Sequence, residues 1–211
     1  IMNLKGGVAK TTSADNMAYI LSKRGYRVLM VDNDKQGDLS RGFKRRTTSG
    51  DGTNCIMTDD EPDMETLIKH TDYENLDIIT ANLTLLNANR EVEMDVTRTH
   101  HDRIKAALNI VRDQYDFALI DCPPDLNIGV VNALCASNDV LIPVEIDDNT
   151  TEGMEELWQQ ISKIQRRLNP DLKIVKCFIS KFQKYNEAHK QGIEAVRKFY
   201  PTMKTVIRTS P

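Results

Sequence analysis

Short apolar runs bounded by polar or turn-forming residues recur along the chain, and segments of helical period lie between them. Residues 27–31 (RVLMV), 117–120 (FALI) and 140–144 (VLIPV) are too short for helices and too uniformly apolar for half-exposed strands. They predict strands buried on both faces. Residues 76–80, 172–179 and 205–207 predict further strands. Residues 12–24 predict a helix with Met17, Ala18, Ile20 and Leu21 as its apolar stripe and Gly25 as its stop. Helices are also predicted over 61–70, 101–115, 128–136, 151–168 and 186–200. The longest is opened by a cap over 151–154 with Glu155 beyond, and closed by Asn169-Pro170. Residues 44–60 read as a polar surface loop, and Pro143 disfavours a fully paired position in its strand.

This alternation predicts an α/β fold: a mainly parallel twisted sheet with helices on both faces, three layers in all. In such a sheet a ligand lies beyond the carboxyl ends of the strands. Three predicted strand ends carry polar chemistry: the run after Met2, the cluster Asp32-Asn33-Asp34-Lys35-Gln36-Gly37, and Asp121 after Ile120. The first is the most informative, because Lys5, Gly6, Gly7, Val8, Ala9, Lys10, Thr11 and Thr12 lead directly into a helix. A polyphosphate needs converging backbone N–H groups, a cation and a hydroxyl for a metal, and this run offers all three. Leu4 and Ala9 stand where the general phosphate-loop pattern has glycine. At the helix entry right-handed dihedrals are expected to suffice for Ala9. Asp32 and Asp34, two apart on an extended segment, are expected on one side beside the phosphates, one associated with a metal and one facing a water.

With 211 residues, 40% of them hydrophobic, the chain fits one well-filled α/β domain spanning 1–211. Both ends are expected to be cut short, with only Ile1 and Met2 left of the strand that leads into the loop. No apolar run is long enough to span a bilayer, so no membrane partner is expected and a cytoplasmic location is. Cys55, Cys122, Cys135 and Cys177 are scattered without a Cys-x-x-Cys pair, as reduced thiols are. The net charge of −3 hides a division: residues 1–158 hold 16 Lys and Arg against 28 Asp and Glu, and residues 159–211 hold 12 against 3. A body of −12 therefore carries a segment of +9, which points to a nucleic-acid-facing surface.

The run K-G-G-x-x-K-T-T resembles the deviant Walker A loop of the ParA/MinD family of P-loop ATPases, and V-D-x-D-x-Q-G, I-D-C-P-P and the Glu152-Gly153 step extend the resemblance over nearly the whole chain. The form most resembled is the ParA/Soj-type partition ATPase. The resemblance implies a three-layer P-loop NTPase fold that binds ATP with Mg²⁺ through residues 5–12. Lys10 would act in cis, and Lys5 would reach the nucleotide of a second subunit, so that ATP is sandwiched in a homodimer with Gly6 against its twin. Thr11, Asp32 and Asp121 would serve the metal, and Asp34 would orient the attacking water. Lys35 stands where the family usually has proline. The segment after Asp121, with Pro123, Pro124 and Asp125, would act as a γ-phosphate switch.

The same resemblance implies slow hydrolysis stimulated by a ParB-like protein, and non-specific binding of double-stranded DNA on the nucleoid during plasmid or chromosome partition. Lys181, Lys184, Lys190, Arg197, Lys198 and Arg208 are the DNA-facing candidates, with Phe182 and Tyr185 read as packing residues among them. Ser180 and Lys181, after a strand end, are placed to approach the base. His100 and His101 read as surface residues at a helix start, and Trp158 as core. The alternatives are a MinD-like ATPase acting on membranes, an iron protein bridging a cluster through Cys122 and Cys135, and a nucleotide-clamped binding module without turnover.

Overall fold

The computed structural model describes residues 1–147, 149–183 and 186–209, the side chains of 174 and 175 excepted. The elements run α1 (Lys10–Lys23), β1 (Val28–Asp32), α2 (Asp38–Gly42), α3 (Thr53–Thr58), α4 (Met64–Leu67), β2 (Ile68–His70), β3 (Leu76–Ile79), α5 (Thr84–Met94), α6 (Arg103–Ile110) and β4 (Phe117–Asp121). They continue with α7 (Ile128–Ala136), β5 (Asp139–Glu145), α8 (Thr150–Arg167), β6 (Lys173–Phe182), α9 (Glu187–Phe199) and β7 (Thr202–Arg208).

The strands form two sheets, ordered β2-β3-β1-β4 and β5-β6-β7. Every pairing is parallel except β2 with β3. The sheets meet at residues 1–3. The Ile1 amino group donates to the Ile120 carbonyl (2.7 Å) and the Cys122 amide to the Ile1 carbonyl (3.2 Å), while the Met2 amide donates to Leu141 in β5 (3.2 Å). The run leading into the phosphate-type loop thus occupies a strand position between β4 and β5.

All five residues of β1 are buried. Val28 and Met30 pack with Ala18 of α1 and Leu39 of α2, whereas Leu29 and Val31 pack with Ile56, Leu85, Ile104 and Val130 from α3, α5, α6 and α7. Strand alternation therefore sends successive residues into two different helical layers, and each large side chain so buried contributes about 1.5–3 kcal/mol. The three-layer expectation holds.

Several expected elements are corrected. The buried face of α1 is Ser13, Ala14, Ala18 and Ser22, with Ile20 49% exposed, because small residues let the helix lie close to the sheet. The 44–60 stretch contains α3, whose Thr53, Ile56 and Met57 are buried at helical spacing. The helix expected over 61–70 stops at Leu67, and Ile68 to His70 pairs with β3 by backbone bonds that need no side-chain pattern. Helix α5 lies in a stretch for which the sequence reading predicts no element. The 101–115 helix shrinks to α6, and β4 is exposed at Phe117 and Ala118, where it runs out of the core. Helix α8 begins at Thr150, one residue before the expected 151–154 pattern, with Asn149 at the N-cap position and no side-chain capping bond. Pro143 is accommodated within β5: it pairs with Phe178 and keeps an acceptor, which Asn3 Nδ2 engages at 2.7 Å.

Candidate functional site

Gly7 and Ala9 both take left-handed dihedrals (φ 74° and 68°), which turns the backbone of the loop before α1 begins at Lys10. The expectation of right-handed dihedrals at Ala9 is overturned: the residue closes the loop at the position where the general pattern has glycine, and the turn is required whether or not the side chain suits it. Val8 is fully buried, and its carbonyl accepts from Ser180 Oγ at 2.9 Å, so the loop is anchored to β6 from beneath. A Cβ on Gly6 would meet nothing within 4 Å, so that glycine is not demanded by its own chain.

The loop forms one wall of a cavity of about 430 Å³ that Gly6, Gly7, Ala9, Lys10, Thr11 and Thr12 line. The segment after β1 supplies Asp34, Lys35, Gln36 and Asp38, and the segment after β4 supplies Pro124 and Asp125. Larger hollows of about 510 and 590 Å³ involve the residues flanking the amino ends of the strands, and neither has a glycine turn or a buried lysine. The cavity at the carboxyl ends carries the features an anion site needs.

Lys10 is only 7% exposed, and its Nζ donates to the Lys5 carbonyl at 3.0 Å. Burial pushes its pKa down, and the nearby carboxylates of Asp121 and Asp34 oppose that shift. Asp121, 1% exposed at the end of β4, is pushed up to about 6, chiefly by burial; the Thr11 hydroxyl beside it works in the opposite direction. Its Oδ1 has no hydrogen-bond partner.

Asp32 and Asp34 part company. Strand β1 ends at Asp32, so the two-residue period that would have put both on one face stops there. Asp34 lines the cavity, and its Oδ1 accepts from the Gln36 amide at 2.9 Å. Asp32 is fully buried away from the cavity lining and caps α2: Oδ2 accepts from the Ser40 amide (2.8 Å) and hydroxyl (2.6 Å), and Oδ1 from the Asp34 amide (3.2 Å). Burial pushes its carboxyl up to about 7. Between them, Asn33 Nδ2 donates to the Gly129 carbonyl at 2.9 Å, tying the β1 loop to the start of α7. Neither Asn33 nor Ser40 stands out in the sequence, since the partner of Asn33 is 96 residues away and the bond of Ser40 to Asp32 depends on where β1 stops.

Lys5 lies over the end of β5. Its Nζ is 2.5 Å from Asp147 Oδ2 and 3.8 Å from Glu145 Oε2, with the side chain 42% exposed. Lys181 belongs to the same group, 3.2 Å from Glu145 and 3.8 Å from where a Gly7 side chain would begin. It stands beside the loop, not with the other basic candidates. Of those, Lys190, Arg197 and Lys198 are exposed on α9 and Arg208 is exposed on β7. Lys190 pairs with Glu187, and Arg197 donates to the Lys204 carbonyl at 3.1 Å. Lys184 and Tyr185 lie outside the described residues. Phe182 packs on the core, as does Trp158, whose ring is 5.2 Å from that of Tyr200. His100 and His101 sit in the loop before α6, where His100 bonds the Asp95 carbonyl. Cys122 and Cys135 are 4% and 3% exposed, which does not suit a cluster shared across a surface.

The AAA_31 family, described as AAA domain, matches residues 1–174. The chain is 37% identical over 211 residues to the sporulation initiation inhibitor protein Soj of Bacillus subtilis, covering 98% of this chain and 82% of that protein. It is 34% identical to the chromosome partitioning protein ParA of Caulobacter vibrioides, covering 93% and 74% of the two. Among solved structures, it resembles a Mycobacterium smegmatis protein described as cobyrinic acid a,c-diamide synthase, with bound ATP analog and magnesium (TM-score 0.88, 28% identity, 99% and 85% covered). A plasmid partition protein from Borrelia burgdorferi is also similar (TM-score 0.78, 27% identity, 93% and 83% covered). With its phosphate-type loop and buried lysine at one cavity, Asp34 on the cavity wall and Asp121 buried beside Thr11, the chain belongs to the AAA domain family, as a ParA/Soj-type partition ATPase.

Proposed function

We propose that the cavity binds ATP with Mg²⁺ and that the chain works as an ATP-dependent dimeric switch on DNA. The observation that carries this reading is the convergence of Lys10, Thr11 and Asp34 on one cavity from segments distant in sequence, with Asp121 of a third segment buried directly beside Thr11. The orphaned, buried Asp121 Oδ1 next to the Thr11 hydroxyl fits a hydrated divalent cation. Among the described residues no cluster of three His, Cys, Asp or Glu could hold a metal alone, so phosphate oxygens and water would complete its shell. When bound, Mg²⁺ would neutralise charge on the β and γ oxygens.

The protein's own contribution is position and charge. Residues 6–12 would hold the phosphates, Lys10 would supply positive charge to them, and Asp34 would orient the attacking water. Asp32, committed to Ser40, acts on the metal only by fixing the turn that carries Asp34. Lys5 points away from its own loop toward Asp147, which supports a role across a dimer: on sandwich formation it would exchange that carboxylate for the partner's phosphate. A Gly6→Val side chain has free space in the isolated chain, so it should leave ATP binding intact and block only dimerisation.

The basic C-terminal quarter, with exposed Lys190, Arg197, Lys198 and Arg208, supports phosphate-backbone contacts to duplex DNA without base readout. Family membership supports stimulation by a ParB-like protein and association with the nucleoid. Co-sedimentation with DNA and with liposomes, each with ATP, ADP or no nucleotide, tests this reading. Retention on DNA only with ATP is expected, and ATP-dependent retention on liposomes alone would move the assignment to a MinD-like role. Among the described residues no helix is long and apolar enough to cross a membrane.

A further inference from the structure

The cavity is lined by two cations, Lys10 and Lys35, and the second stands where the family pattern has proline. Lys10 is buried, bonded to the Lys5 carbonyl, and set among Asp121 and Asp34. Lys35 is different. It sits at the apex of the turn after β1, its side chain 32% exposed, with Nζ 3.8 Å from Asp125 Oδ2 on the segment after β4. One ion pair therefore spans the cavity mouth between the two segments whose positions a γ-phosphate would set.

The backbone that carries Lys35 is held firmly. The Gln36 and Gly37 amides both bond back to Asp34, at 2.9 Å each. Gly37 has φ +64°, and a Cβ there would lie 2.5 Å from the Ala81 carbonyl; Arg46 Nε donates to the Gln36 carbonyl at 3.1 Å. The turn is thus braced from behind, and only the long side chain of Lys35 is free to swing. Its pair with Asp125 is long and partly solvated, the type of pair that contributes little and exchanges easily. A phosphate offers more charge and more acceptor oxygens than the carboxylate does. Three carboxylates, Asp34, Asp38 and Asp125, line the same cavity, so an entering triphosphate needs a cation on that wall.

We propose that Lys35 is a γ-phosphate-sensing cation supplied in cis: it pairs with Asp125 in the free chain and transfers to the terminal phosphate of a bound triphosphate. The proposal rests on the assignment of this cavity to ATP. An ADP molecule would not reach Lys35, so the residue discriminates between the two nucleotides before any second subunit arrives. Loss of the Lys35–Asp125 pair on ATP binding would also free the segment after β4, where the switch residues Pro123 and Pro124 lie.

The test is equilibrium binding of a non-hydrolysable ATP analogue and of ADP, each with Mg²⁺, to the full chain and to four variants, with folding checked by thermal melting. Lys35→Ala is expected to weaken analogue binding roughly tenfold while leaving ADP unchanged. Lys35→Arg should retain the wild-type ratio, and Asp125→Asn should shift it toward the analogue, since the competing carboxylate charge is gone. Equal loss of both nucleotides in Lys35→Ala, or no change in either, overturns the proposal. Lys10→Ala separates the two levels: if it leaves both affinities at the wild-type value, the cavity is not the nucleotide site and both readings fall.

Discussion

Ala9 offers a direct test of how the phosphate loop is held. A left-handed conformation (φ 68°, ψ 33°) costs an L-residue about 1–2 kcal/mol, and glycine adopts it freely. Replacing Ala9 by glycine removes that cost but adds freedom to the unfolded chain, about 0.4–1 kcal/mol. Loss of one half-buried methyl takes back a few tenths more. The net expectation is a gain of about 0.5 kcal/mol, or roughly 1–2 °C in melting temperature for a chain of this size. Ala9→Val moves the other way, because a β-branched residue at positive φ is strongly disfavoured, and should lose at least about 1.5 kcal/mol. Urea unfolding of the two variants beside the wild type measures the spread, expected at about 2 kcal/mol. If the glycine variant is the least stable of the three, or if all three agree within about 0.3 kcal/mol, the loop is not held by strain at Ala9.

Further expectations concern other parts of the molecule. Gly52→Ala would place a Cβ 2.1 Å from the Thr80 carbonyl, which already accepts from the Thr53 amide, so a loss of about 2–3 kcal/mol is expected in chemical unfolding; a loss under 1 would contradict the packing described. Asp147→Asn removes the exposed partner of Lys5, so stability should change by less than about 0.5 kcal/mol while ATP-driven dimerisation, followed by sedimentation velocity, becomes easier; weaker dimerisation would refute the exchange described for Lys5. Asp95 accepts from the Thr97 hydroxyl and amide and from Arg98, which hold its carboxyl well below the usual range. A depressed carboxyl stabilises the fold above its unfolded pKa and loses that contribution as pH falls through its folded value. Asp95→Asn should therefore melt lower than wild type at neutral pH, with the difference shrinking below about pH 4. A gap that stays constant with pH would argue against it.

What could be read in the sequence is what is local or purely apolar. Strands β1 and β5 and helix α7 are apolar runs whose burial needs no partner to be foreseen, and the phosphate-type loop is contiguous. Helix α5 was legible but passed over: Leu85, Ala88, Asn89 and Val92 carry a helical spacing of buried positions. By contrast β2 is specified by the edge of β3, and α3 lies in a polar stretch where three buried residues do not stand out. The site divides the same way. Lys10, Thr11, Asp34 and Asp121 follow from position alone, whereas the diversion of Asp32 to Ser40 depends on where β1 stops. The partner of Lys5 is 142 residues away, and that of Asn33 is 96. No pattern within the chain announces either contact.

The junction formed by residues 1–3 has a mechanical consequence. Strands β4 and β5 belong to different sheets, and the backbone of Ile1 and Met2 stitches them through bonds to Ile120, Cys122 and Leu141. The phosphate loop springs directly from that stitch, with the segment after β4 on one flank and the Lys5–Asp147 contact on the other. A ligand held by the loop therefore bears on both groups of strands through the same few backbone bonds, and β7 with Arg208 is joined to the loop through β5 and β6.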